Sequence, residues 1–174
     1  MTEYIPWKEK RLNWDEKHML NALVTACRSS CMYFHTGAVL VKNKRIIAEG
    51  YNGAPTGIEN CLERGCRKDA HGIDFETKGT GNCRGVHAEI NAIGEIAKKD
   101  AQNSILYTVY YPCSNCAKVI VNSGIIEVVY LKMYKEPDSL TEELFNEANI
   151  SVRKLDLDLN RYIGLMKELY NERN

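Results

Sequence analysis

Net charge is the first thing this chain lacks: 23 Lys and Arg are balanced by 23 Asp and Glu. Without a basic field, the attraction that nucleic-acid binders direct at phosphates is missing, which argues against a nucleic-acid polymer as partner. Long apolar runs are missing too. Nothing approaches the roughly 20 consecutive residues of a membrane span, so no membrane association is expected. The stretch from Met1 to Arg11 is polar and charged and contains no apolar signal region. A cytoplasmic, soluble protein is the expectation. No internal repeat or linker divides the sequence, so residues 1–174 are expected to form a single domain with a sizeable core.

Cysteine, by contrast, is plentiful. The seven lie at positions 27, 31, 61, 66, 83, 113 and 116. In a cytoplasmic chain of this size, metal binding explains such a count better than disulfides do. The number is odd, so at least one is left over.

Hydrophobic spacing organises the rest. Trp14 to Ser30 has helical periodicity, with Trp14, Met19, Leu20, Leu23, Val24 and Cys27 near one stripe and Asn13 as N-cap. Residues 37–42 and 45–50 read as two strands around an Asn43-Lys44 turn. Gly50-Tyr-Asn-Gly-Ala-Pro-Thr-Gly57 ends the second strand and builds a loop able to approach a ligand. Residues 58–86 show neither period; so long a loop is expected to be functional or tied down. Helices are expected at 87–99, 113–123, 139–148 and 159–171, and strands at 104–109, 125–131 and 151–155. Alternating strands and helices after residue 87 imply parallel strands joined by right-handed crossovers. The expected fold is α/β: a mixed five-stranded sheet with an antiparallel hairpin at one side and helices on both faces, a three-layer α-β-α arrangement. Tyr110, Tyr111, Ile125 and the last helix offer apolar surface that suits either subunit contacts or the core.

The chemistry concentrates in two short stretches. One is His87-Ala88-Glu89; the other is Pro112-Cys113-Ser114-Asn115-Cys116. His87, Cys113 and Cys116 supply three zinc ligands and leave a fourth position for water. Cys113 and Cys116, three apart, share one face in the first turn of a helix, whose positive end favours thiolates. Glu89 is not needed as a ligand and is placed to carry protons. Residues two apart inside a helix point to opposite sides, so His87 and Glu89 can face one site only if the helix starts at or next to His87. A lone His-x-Glu or Cys-x-x-Cys carries little information, but the pair resembles the signature of zinc-dependent nucleobase deaminases. A non-catalytic zinc-stabilised interaction module is the competing reading. It has no use for Glu89.

The flanking residues narrow the resemblance. Gly50-Tyr-Asn-Gly-Ala-Pro, Asn60-Cys61, Cys83-Arg-Gly-Val-His87-Ala-Glu-x-Asn-Ala-Ile and Gly124-Ile-x-x-Val-Val-Tyr resemble, in this order, the deoxycytidylate (dCMP) deaminase family of the cytidine deaminase-like superfamily. The resemblance covers about residues 13–135, leaving residues 136–174 as a C-terminal extension. It implies hydrolysis of dCMP to dUMP and ammonia, supplying thymidylate synthesis; a related cytosine nucleotide or nucleoside is the alternative substrate. It implies catalytic zinc at His87, Cys113 and Cys116, with Glu89 as proton shuttle. It also implies a homo-oligomer, often a hexamer, with dCTP and dTTP as effectors and Mg2+ accompanying the effector.

Asn52, Ala88 and Tyr134 are expected at the substrate. Where the family usually carries basic residues after Cys31, this chain has Met32-Tyr33-Phe34-His35. Arg28, His35, Lys118 and Lys132 are therefore the candidates for the 5′-phosphate. Cys31 and Cys61 match positions that hold a second, structural zinc in some members. Cys66 and Cys83 complete a four-thiolate set, with His71 as rival fourth ligand.

Overall fold

In a computed structural model, residues 10–77, 81–134 and 138–171 are described; the polar stretch read at Met1 to Glu9 lies outside them. Helix α1 (Trp14–Ala26) opens on a capping box. The Asn13 side chain accepts from the Glu16 N–H, and the Glu16 carboxylate accepts from the Asn13 N–H. Strands β1 (Gly37–Lys42) and β2 (Arg45–Tyr51) follow. Asn43 and Lys44 both take positive φ, 51° and 63°, so the two-residue turn has the twist a tight hairpin needs. Two single turns of helix, α2 (Cys61–Arg64) and α3 (Arg67–Ala70), break the long loop.

Beyond them come α4 (Ala88–Gly94), α5 (Lys98–Ala101), β3 (Ile105–Tyr110), α6 (Ser114–Asn122), β4 (Glu127–Lys132), α7 (Ser139–Glu147), β5 (Ser151–Lys154) and α8 (Leu159–Asn171). The sheet order is β2-β1-β3-β4-β5, antiparallel from β2 through β3 and parallel from β3 through β5. The expected mixed sheet is thus present, and β5 shows that the C-terminal extension pairs directly with β4.

Alternation along the central strands fills two cores. Ala38 and Leu40, Leu106 and Val128 turn to one face, where Ala88, Ala92, Ala117, Ile120 and Phe145 from α4, α6 and α7 cover them. Val39, Val41, Tyr107, Val109 and Val129 turn to the other, under Met19, Ala22 and Ala26 of α1. A strand buried on both faces reads as an unbroken apolar run, which is what Ala38-Val-Leu-Val41 shows. The edge strands carry Arg45 and Glu49 on one side and Arg153 and Lys154 on the other, charges that discourage pairing with another sheet.

Two expectations are corrected, and a third point, left open between subunit contacts and core, is decided. First, α1 ends at Ala26, and its buried residues are His18, Met19, Leu20, Ala22, Thr25 and Ala26, which include only Met19 and Leu20 of the stripe. Trp14 is 43% and Val24 64% exposed, and Cys27 is an exposed C-cap. The stripe merged two faces: Leu20, Leu23, Val24 and Cys27 line an apolar groove shared with Leu159, Tyr162, Ile163 and Met166 of α8. Second, the helix expected over 87–99 stops at Gly94, because Ala97 takes an extended conformation and caps the separate turn α5. Third, Tyr111 and Ile125 belong to the core, whereas α8 leaves Ile163, Met166 and Tyr170 exposed.

Candidate metal centre and its surroundings

Three elements bring the signature residues together. His87 is the N-cap of α4, in extended conformation, with Ala88 as the first helical residue. This is the helix start that the His-x-Glu spacing requires. Cys113 is likewise the N-cap of α6, just past the end of β3, and Cys116 lies in the first turn. The Nδ1 atom of His87 lies 3.5 Å from the Cys113 Sγ and 3.3 Å from the Cys116 Sγ. All three potential ligand atoms lie within 4.8 Å of one another, the one such group among the described residues. One imidazole and two thiols fit zinc by type, and three donors leave a catalytic zinc its open position.

Position is enforced by backbone. The Gly53 and Val86 amides exchange hydrogen bonds of 3.2 and 2.8 Å, pinning the residue before His87 to the end of the β2 segment. The Asn91 side chain donates to the Tyr51 carbonyl at 2.7 Å. Gly50 lies directly under α4, with room for no side chain. On the other limb, Asp138 accepts from the Ser114 N–H at 3.3 Å and caps α7 through Leu140 N–H at 3.2 Å, so it links the cysteine-bearing helix to the next one.

Electrostatics follow from burial and crowding. Glu89 is 4% exposed, and burial pushes its carboxyl above the ordinary range despite the opposing pull of His87. The contact with Cys116 holds the Cys113 thiol down, at about 4, while the same contact and burial push Cys116 up. The hydrogen bond between the His87 ring and the Cys113 sulfur raises His87 against the effect of burial.

A profile of the cytidine and deoxycytidylate deaminase zinc-binding region matches residues 12–132. The chain belongs to that family. Among relatives, ComE operon protein 2 of Bacillus subtilis is 34% identical over 151 residues, 86% of this chain and 75% of that protein. Human deoxycytidylate deaminase is 33% identical over 151 residues, 84% of this chain and 82% of that one. The deoxycytidylate deaminase of Saccharomyces cerevisiae is 38% identical over 83% of this chain, but the match spans only 45% of the yeast protein. The dCMP deaminase of cyanophage S-TIM5, solved in complex with dCMP and dUMP, superposes with a TM-score of 0.66 at 27% identity, over 87% of this chain and all of that one.

Around the centre of this deaminase, the other named residues are less uniform. Ala88 is fully buried beneath the site. Asn52 spends its amide on the neighbouring loop: its nitrogen donates to the Phe34 carbonyl at 2.8 Å and its oxygen accepts from the Thr36 N–H at 3.0 Å. Tyr134 stacks on Tyr110 at 5.1 Å, and burial together with the charges of Glu89 and Cys113 pushes its hydroxyl pKa up. Lys132 places its ammonium 5.7 Å from the Tyr110 ring centre. His35 is exposed, as is Arg28.

The four loop cysteines neighbour one another closely enough that, after burial, the charges of Cys31, Cys66 and Cys83 raise the Cys61 thiol. No three of them, with or without His71, gather as tightly as the His87 group.

Two features escaped the sequence. Asp138 had no motif to announce it. The rings of Phe34, Phe75, Tyr110 and Tyr134 form a cluster drawn from four separate segments; of the four, only Tyr134 was expected near the substrate.

Proposed function

We propose that this deaminase hydrolyses dCMP to dUMP and ammonia. The observation that carries the reading is the buried Glu89 carboxyl set against the His87, Cys113 and Cys116 donors at the entries of two helices. Zinc held by those donors supplies a Lewis acid that makes water acidic at neutral pH. Glu89 takes the proton from the attacking water and passes it to the pyrimidine N3 as the oxygen adds at C4. It then delivers the second proton to the exocyclic amine, which leaves as ammonia. Burial suits Glu89 to this task, because a carboxyl whose pKa is raised toward the working pH both accepts and returns a proton. Tyr134 and Ala88 line the substrate side, with Asn52 ordering the loop next to them. The cyanophage enzyme that carries dCMP and dUMP supports the choice of nucleotide.

A second, structural zinc at Cys31, Cys61, Cys66 and Cys83 is part of the proposal. Two of these sulfurs, those of Cys31 and Cys83, accept backbone hydrogen bonds from the Phe34 and Gly85 N–H groups at 3.4 Å each. About two zinc ions per chain are then expected; one zinc, unchanged by Cys61→Ser, would remove this second site. The apolar side of α8 supports assembly into a homo-oligomer, which sedimentation would register. No helix among the described residues is long and apolar enough to cross a membrane.

The deciding experiment measures ammonia release from dCMP, CMP, deoxycytidine, cytidine and dCTP, with dCTP or dTTP and Mg2+ added as effectors. Turnover of dCMP above the others is expected. Preference for a nucleoside would transfer the reading to the alternative substrate, and release from none would leave the interaction module.

A further inference from the structure

The loop between Asn60 and Val86 contains a turn held by a lysine. The Lys68 ammonium donates to the Phe75 and Thr77 carbonyls at 2.7 and 2.6 Å, folding residues 68–77 back on themselves. The fold presents one ring inward. Phe75 stacks on Tyr33 with centroids 4.5 Å apart and planes 12° apart, and meets Phe34 at 5.6 Å. The Tyr33 hydroxyl donates to Asp69, so the same turn is clasped a second time.

Phe34 in turn connects to segments that lead to both limbs of the metal centre. Its ring meets Tyr110 edge-on at 5.9 Å and Tyr134 at 6.0 Å, and Tyr110 closes β3 three residues before Cys113. Its carbonyl holds the Asn52 amide, and the next residue, Gly53, is bridged to Val86 beside His87. The half-buried rings of Phe34 and Tyr134 therefore stand at the same end of the sheet as the metal donors.

We propose that Phe75, set in place by Lys68, is a positioning residue that holds the Phe34 ring in an aromatic wall against which the pyrimidine nucleoside of the substrate packs. This rests on the deamination of a cytosine nucleotide proposed above. The flat apolar ring of Phe34 suits the face of a planar base and offers it no hydrogen bond, so this ring contributes to substrate binding and not to proton transfer. Phe75 reaches the substrate only through Phe34. Lys68 acts one step further back, by closing the turn.

Phe75→Ala, Phe75→Tyr and Lys68→Met test this in steady-state kinetics with dCMP. Phe75→Ala and Lys68→Met are expected to raise KM about tenfold while kcat changes by less than about threefold, the pattern of a lost binding contact. Phe75→Tyr keeps the ring and is expected within about twofold of the wild-type KM. A merely structural turn would instead lower the melting temperature or zinc content and leave the KM of the folded fraction alone; both are recorded for each variant. Should Phe75→Ala fail to fold, Phe75→Leu takes its place with the same expectation. Wild-type KM in both Phe75→Ala (or its substitute) and Lys68→Met, with the wild type active, overturns this inference alone. A wild type that deaminates no cytosine nucleotide overturns the functional reading and this inference with it.

Discussion

Gly50 presses its bare α-carbon against the backbone of Ala88: a β-carbon built there would lie 2.5 Å from the Ala88 carbonyl oxygen and 2.3 Å from the Ala92 nitrogen. Those atoms belong to the first turns of α4, rigid helix backbone that cannot step aside as a side chain could. Gly50→Ala should therefore push α4 off the sheet, costing about 1–3 kcal/mol as overpacking does, and shift His87 with it. Urea unfolding and zinc per chain would record the effect. A wild-type midpoint with full zinc would contradict it.

Glu89 faces the metal donors from within the same helix, yet it contributes no ligand to the triad. Glu89→Gln keeps size and hydrogen bonding but removes the proton carrier. Turnover should fall by about 10²- to 10⁴-fold, the usual worth of a general acid–base group, with zinc retained. Ammonia release assayed alongside metal content separates the two effects; appreciable turnover by the variant would refute the assigned role.

His18 is almost completely buried between Trp14 and Tyr107, and neither ring nitrogen finds a partner. Burial, helped by the charge of Lys17 and opposed by Asp15, holds its pKa below the ordinary 6.5. The unfolded chain takes up the proton near 6.5 and the folded chain does not, so folding stability should decline as pH drops below 6.5 and level off only below the folded pKa. The lowered carboxyls of Asp15 and Glu16 add losses of the same sign, but only nearer pH 4. Thermal unfolding between pH 7 and 5 should show a shallower slope for His18→Leu than for the wild type; identical slopes would exclude His18 as the source.

Asp138 ties two helices with one carboxylate, taking the Ser114 and Leu140 N–H groups on its two oxygens. Asp138→Ala loses a helix cap, worth about 1 kcal/mol, and frees the first turn of the cysteine helix. Asp138→Asn restores an acceptor and should recover most of the stability. Equal melting temperatures for all three forms would show that the link carries no energy.

Much of this was legible beforehand because local chemistry decided it. Asn13 three residues before Glu16 fixes where α1 starts. His87 two residues before Glu89 forces a helix entry at that point, and the structure has it there. Apolar runs of strand length set β1, β3 and β4 to within two residues. What stayed hidden depended on distant parts of the chain. The Trp14–Cys27 stripe looked like one face because α8, which shares its outer half, lies more than a hundred residues away. The Asn60–Val86 loop had no period because side chains order it: Lys68 on carbonyls, and Phe75 on Tyr33 and Phe34. No local rule announces a ring cluster assembled from residues 34, 75, 110 and 134.

The paired amides of Gly53 and Val86 carry a consequence for how this protein can change. They fasten both ends of the intervening loop at one spot, so its length is uncoupled from the placement of His87. Closing a flexible loop twice as long costs only about 0.6 kcal/mol more. Gly57, with positive φ and open space around it, lies within that closed stretch, away from the aromatic turn. Lineages can lengthen or shorten the chain there, and acquire new surface, while the metal donors stay in register.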